Sequence, residues 1–257
     1  MAKARPAAIT KLSEANRTGL KNWMIYADAG IGKTVLAGTA PNALFLTVEA
    51  GGTESAREFG SDADEWTVND WSTFQEAYTW LSEGGARTYD WVIVDSISEV
   101  EETCWRHYLG EQAQGNERRN EFRAELQDYN IVGNKMKRLA DQFNRLPVNV
   151  LYTAHPMQVD VADPITEEDT TLLMPALGSS KNGKLSQKIA AQMGLVGYLT
   201  VRTPKKVEGE EDNEPYRQLR LAGNKRFMAK TRHHSLGRVV DRPTIPGMLA
   251  TIEAAGK

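Results

Sequence analysis

The stretch Ala27-Asp28-Ala29-Gly30-Ile31-Gly32-Lys33-Thr34 constrains this chain more than any other. It follows a short apolar run, Asn22 to Ala27 (NWMIYA), and opens a helical pattern that ends before Pro41. A strand, a glycine-rich turn and a Lys-Thr pair opening a helix form the arrangement in which backbone N–H groups cradle a phosphate chain. The glycines let the backbone approach, the lysine reaches the outer phosphates, and the threonine hydroxyl ligates Mg²⁺. The stretch fits the Walker A pattern with Ala27 in place of the first glycine, a small residue that still lets the loop leave the strand. Trp91-Val92-Ile93-Val94-Asp95 supplies the matching half, an apolar strand ending in an aspartate placed to hold Mg²⁺ opposite Thr34.

A loop of this kind needs a sheet edge, and the rest of the chain supplies one. Ala43 to Val48 (ALFLTV), Tyr89 to Asp95 and Val148 to Thr153 (VNVLYT) are further short runs, predominantly apolar rather than alternating, as strands buried on both faces are. Between them lie helical patterns. Ser72 to Leu81 sets Phe74, Ala77, Tyr78 and Leu81 on one face, opens with Ser72 and Gln75 as a capping box, and stops at Gly84-Gly85. Phe122 to Leu146 repeats apolar residues in steps of three and four until Pro147, and reads as a helix lying on a sheet. The class is therefore α/β, with a mostly parallel sheet covered by helices on both faces. Residues 1–21 read as a basic arm and 22–257 as the core. The core includes an irregular, proline-bearing loop over 154–183, a helix from Lys184 to Met193, and a carboxyl-terminal β-hairpin of Leu195 to Arg202 and Tyr216 to Leu221 with an acidic tip.

Composition narrows the setting. Apolar residues make up 40% of the 257 residues, and no apolar run approaches the roughly 18 needed to cross a bilayer, so the chain reads as soluble, with no membrane partner. The expected location is the cytoplasm, because no secretory signal is legible and the lone Cys104 suits a reducing compartment. Cys104, His107 and the pair His233-His234 lack the spacing of a zinc site.

Hydrolysis of a nucleotide needs a carboxylate to polarise the attacking water. Many P-loop ATPases place a glutamate directly after the aspartate of the second motif; here that position is Ser96. Glu49, at the end of the second strand before Gly51-Gly52, is the leading candidate, with Glu99, Glu101 and Glu102 as rivals.

These motifs together resemble the RecA-like recombinase core. In more detail the chain is similar to the phage and prophage ATPases of that superfamily associated with single-strand annealing, the Sak-four type. The resemblance spans most of Asn22 to Arg232 and rests on Tyr26 to Thr34, Phe45 to Gly52, Trp91 to Ser96, Thr153-Ala154-His155 and Ala229-Lys230-Thr231-Arg232. It implies ATP and Mg²⁺ as ligands, His155 as a sensor of the terminal phosphate, and Lys230 and Arg232 as basic residues inserted into a neighbouring subunit's site. It also implies self-association into a ring or filament, a host bacterial cytoplasm, single-stranded DNA as partner, and a phage single-strand binding protein as a possible further one.

The net charge of -3 hides an asymmetry that suits such a partner. Gly178 to Arg238 holds 13 Lys/Arg against five Asp/Glu, a net of +8, and all five acids fall within Glu208 to Glu214. Lys181, Lys184 and Lys188 follow the long loop and can lie along a phosphate chain without reading sequence. Base-stacking aromatics are missing from Ala154 to Gly194, which counts against a stacking platform. Two alternatives stay open: an ATPase of the same core acting on protein partners, and an ATP-switched DNA-binding module with negligible turnover.

Overall fold

The computed structural model describes residues 19–49, 51–162, 169–178, 183–203 and 214–256. Most of the amino-terminal arm, Lys181 and most of the acidic hairpin tip therefore lie outside the described residues.

The chain opens with β1 (Asn22–Tyr26), α1 (Lys33–Ala37), β2 (Ala43–Thr47), α2 (Glu54–Glu58), β3 (Asp64–Thr67), α3 (Trp71–Ser82), β4 (Trp91–Asp95) and α4 (Ile97–Gly115). It continues through α5 (Leu126–Phe143), β5 (Asn149–Ala154), β6 (Pro156–Ala162), β7 (Asp169–Pro175), α6 (Lys184–Gln192), β8 (Leu195–Arg202), β9 (Tyr216–Arg220), β10 (Lys230–Thr231), β11 (Val239–Asp241) and α7 (Ile245–Ala254). Among the described residues, nine strands form one sheet in the order β11-β9-β8-β1-β5-β4-β2-β3, with β10 pairing on β8. From β8 to β3 the neighbours run parallel, and β9, β10 and β11 add an antiparallel edge.

Alternation explains why the central strands are apolar throughout. In β1, Met24 and Tyr26 enter the core beneath α3, α4, α5 and α6, while Trp23 and Ile25 enter the opposite core beneath α1 and α7. β2 divides the same way, Leu44 and Leu46 against Ala43 and Phe45. On the first face Phe74 of α3 stacks on Phe143 of α5 with ring centres 5.2 Å apart, a pair worth about 0.5–1.5 kcal/mol beyond its buried area. Both faces being buried is what a parallel sheet requires.

Three local expectations need correction. The capping box assigned to Ser72 and Gln75 does not cap α3; Asp70 does, its carboxylate accepting from the Thr73 N–H at 2.8 Å. An aspartate placed one residue before the first helical position satisfies an orphan N–H better than a serine already inside the turn. The long helix begins at Leu126 rather than Phe122, and Phe122 and Leu126 are 87% and 77% exposed, so the apolar repeat outruns the part that meets the sheet. Asp128, fully buried, instead closes that end: it accepts from the Glu125 N–H at 2.7 Å and from Arg119 at 2.6 Å.

The third correction concerns residues 154–183. Their described part is not an irregular loop, because β6 and β7 form an antiparallel ribbon whose register sets Pro156 opposite Pro175. Prolines read as breakers in the sequence, yet at the ends of a two-stranded ribbon they cost no ladder hydrogen bond. The ribbon is moored to the sheet by the Tyr26 hydroxyl, which donates to the carbonyls of Met228 (2.6 Å) and Leu173 (3.2 Å).

Candidate nucleotide-binding site

The site sits where the parallel strands end. The Ala27 N–H still donates to the Ala154 carbonyl at 3.4 Å and its side chain is fully buried, so the first motif position extends the strand and a methyl group fits where glycine is usual. The chain then turns through Gly30 (φ 77°) and Gly32 (φ 99°), a left-handed region that favours glycine. Gly32 has a second reason to lack a side chain, since a Cβ there would collide with the guanidinium of Arg217.

Lys33 is buried, and its ammonium donates to the carbonyls of Ala27 (2.8 Å) and Asp28 (3.1 Å) on the loop that precedes it. Burial holds its pKa below the ordinary 10.5, opposed by the negative charges of Asp95, Asp28 and Glu49. A phosphate chain offers charged acceptors in place of these neutral carbonyls, which strengthens each hydrogen bond. The Thr34 hydroxyl donates to Asp95 Oδ2 at 2.7 Å, and the Thr153 hydroxyl donates to Asp95 Oδ1. Burial pushes the Asp95 carboxyl up from 3.8, while those two hydroxyls and Lys33 pull it down. A half-buried carboxylate beside a threonine hydroxyl is a hard, all-oxygen donor pair, the kind Mg²⁺ takes when most of its remaining ligands are waters and phosphate oxygens. The residues therefore fit the ion.

Next to this pair the structure assembles a second group. One ligand atom each from Glu49, Glu99 and His155 lie within 4.8 Å of one another, and His155 Nε2 stands 3.5 Å from Glu99 Oε1. Two of the candidate carboxylates thus converge on one place. The others do not: Glu101 is buried and accepts from the Gly178 N–H at 2.7 Å, and Glu102 is exposed three residues beyond Glu99 on α4, outside that group. Ser96, standing where many relatives of the motif carry glutamate, caps α4, its hydroxyl accepting from the Glu99 N–H at 3.3 Å.

His155 also ties the site to the chain beyond β5. Its N–H donates to Ser98 Oγ (3.1 Å), that hydroxyl donates to the Ala176 carbonyl (2.8 Å), and the Ala176 N–H donates to the His155 carbonyl (2.7 Å). With Gly178 held by Glu101, the segment leaving β7 toward the basic loop is stitched to the end of β5 and to α4. Lys184 and Lys188 are exposed one turn apart on α6.

Lys230 and Arg232 lie elsewhere. Lys230 pairs with Val196 near the amino end of β8, and both side chains donate to the Ala191 carbonyl at the end of α6, at 2.9 and 3.3 Å. The phosphate loop leaves the carboxyl end of β1, which runs parallel to β8, so this pair is at the opposite end of the sheet from its own loop. The sequence reading missed Arg217, whose Nε donates to the Ile31 carbonyl at 2.9 Å. Only its place in a basic segment marked it, and 186 residues separate it from the loop.

Comparison with curated proteins gives no match. A family model described as an AAA domain matches residues 21–233, from the start of β1 past β10. With the loop, Lys33, Thr34 and Asp95 in this arrangement, the chain belongs to the AAA-domain family of P-loop ATPases.

Proposed function

We propose that this protein is a Mg²⁺-dependent RecA-like ATPase that binds single-stranded DNA and supports strand annealing or recombination of phage or prophage DNA. The observation that carries the reading is the meeting, at one sheet edge, of Lys33, Thr34 and Asp95 with Glu49, Glu99 and His155. Thr34 and Asp95 would hold Mg²⁺, which offsets negative charge on the phosphate chain when bound. Lys33 orients the outer phosphates by charge-assisted hydrogen bonds. The Glu49 carboxylate accepts a proton from the attacking water, and Glu99 beside His155 fixes the imidazole that reads the terminal phosphate. The links from His155 to Ala176 and from Glu101 to Gly178 then carry that reading toward the basic segment that includes Lys181, Lys184 and Lys188. Lys and backbone groups there contact phosphates rather than bases, so binding is sequence-tolerant and salt-sensitive.

The test is ATP turnover with and without single-stranded DNA at several salt concentrations. DNA should stimulate turnover, less so as salt rises, and Lys33→Ala should abolish it. Undiminished hydrolysis by that variant would remove the site, and stimulation by protein partners alone would favour an ATPase acting on proteins.

A further inference from the structure

A groove of about 540 Å³ opens directly from the phosphate loop, within the range of about 300–1,000 Å³ usual for small-molecule sites. One wall is Ile31 of the loop with Val35 of α1 and Thr39 just beyond that helix; the other is carboxyl-terminal, formed by Tyr216, Arg217 and Arg242. The walls are tied together at two points. Arg217 Nε donates to the Ile31 carbonyl at 2.9 Å, and the Ile245 N–H donates to Thr39 Oγ1 at 2.8 Å. The groove's width is thus set by hydrogen bonds between segments about 200 residues apart in sequence.

Across it stands a flat, charged surface. Arg242 Cζ lies 4.8 Å from the centre of the Tyr216 ring, a cation–π pair. Arg242 holds a left-handed backbone, φ 47°, that residues with side chains rarely adopt, and its N–H donates to the Arg217 carbonyl at 2.8 Å. The remaining lining is mainly aliphatic, including Val201, Pro215 and Pro243.

We infer that this groove seats the base and ribose of the nucleotide, with the Tyr216–Arg242 pair as the stacking face. The inference rests on the proposal that the loop holds a nucleotide's phosphates. Gly30 and Ile31 belong both to the phosphate loop and to the groove wall, so a phosphate chain in the loop continues into the groove without a gap. The chemistry matches a heterocycle: an apolar slot for two faces, a ring and a guanidinium for π contact, and positive charge toward an anionic ligand. Among the described lining residues none is acidic. The paired N–H groups of guanine therefore meet no carboxylate there. Selection comes from stacking area, so purines bind more tightly than pyrimidines.

The experiment is calorimetric titration of the full chain with ATP, CTP and inorganic tripolyphosphate, each with Mg²⁺. ATP should bind more tightly than CTP, and tripolyphosphate should bind through the loop alone. Tyr216→Ala should weaken ATP about tenfold or more while leaving tripolyphosphate unchanged, and Tyr216→Phe should restore ATP. Arg242→Gly removes the guanidinium and relieves the left-handed backbone, so it keeps the test available if Tyr216→Ala does not fold. Wild-type ATP affinity in Tyr216→Ala or, where that variant does not fold, in Arg242→Gly, or equal losses of ATP and tripolyphosphate, overturns the inference. Lys33→Ala separates the two readings: if it weakens both ligands while the groove variants leave ATP unchanged, only the groove assignment fails. If Lys33→Ala binds both ligands as wild type does, the nucleotide reading itself fails.

Discussion

Glu49 and Glu99 show what a single residue's setting decides. Both carboxylates reach the same place beside His155, yet Glu49 is exposed at the end of a strand and Glu99 is engaged with the imidazole. Glu49→Gln should still bind ATP but hydrolyse it about a hundredfold or more slowly in single-turnover kinetics, and equal rates would move the base to Glu99. His233 offers a pH test away from the site. It packs edge-on against Trp23 with ring centres 6.0 Å apart, and burial, helped by Lys21 and Arg232, holds its pKa below 6.5. A histidine depressed in the folded state contributes stability above its unfolded value that is lost as pH falls through its folded one. Denaturation midpoints should therefore drop as pH falls below about 6.5, and His233→Gln should flatten that slope.

At the scale of elements, α6 joins two proposed functions. Its exposed Lys184 and Lys188 face outward one turn apart, and a carbonyl of its last turn, that of Ala191, is capped by Lys230 and Arg232, as cations at a helix carboxyl terminus do. Replacing Lys184 and Lys188 by alanine should lower the salt slope of single-stranded DNA binding by about 0.7 per lysine, measured by fluorescence anisotropy, with ATP binding unchanged. An unchanged slope would place the DNA elsewhere. The ribbon of β6 and β7 shows why such elements escape a sequence reading. Val159 and Val161 alternate as a strand should, but flanking prolines and the shortness of the run hide the signal. The pairing of Pro156 with Pro175 is visible only once both strands are side by side. The approach to α5 fails in the other direction: Phe122, before the helix, and Leu126, its first residue, keep a helical repeat where no sheet surface lies beneath them.

For the whole molecule, the distance between Lys230 with Arg232 and their own phosphate loop bears on assembly. They occupy opposite ends of parallel strands, so a contact of either with a nucleotide would require a neighbouring subunit. If sites are shared between subunits, Lys33→Ala and Arg232→Ala should each lose ATP turnover alone and regain part of it when mixed; no recovery would leave Arg232 as a helix cap alone. Among the described residues no helix is long and apolar enough to cross a membrane, in keeping with the composition.

What the sequence by itself determined was everything local in chain order: the phosphate loop after an apolar strand, the aspartate ending another, and the two-sided burial that makes a parallel sheet. Each depends on residues within a few positions of one another, where residue type and backbone preference suffice. Tertiary structure alone decided which distant groups meet. It brought Glu49, Glu99 and His155 together, set Arg217 over Gly32, and closed a groove between α1 and the segment from Tyr216 to Thr244. Those contacts follow from strand order, which sets β8 beside β1 and β9 beside β8, and strand order leaves no periodic trace in the sequence.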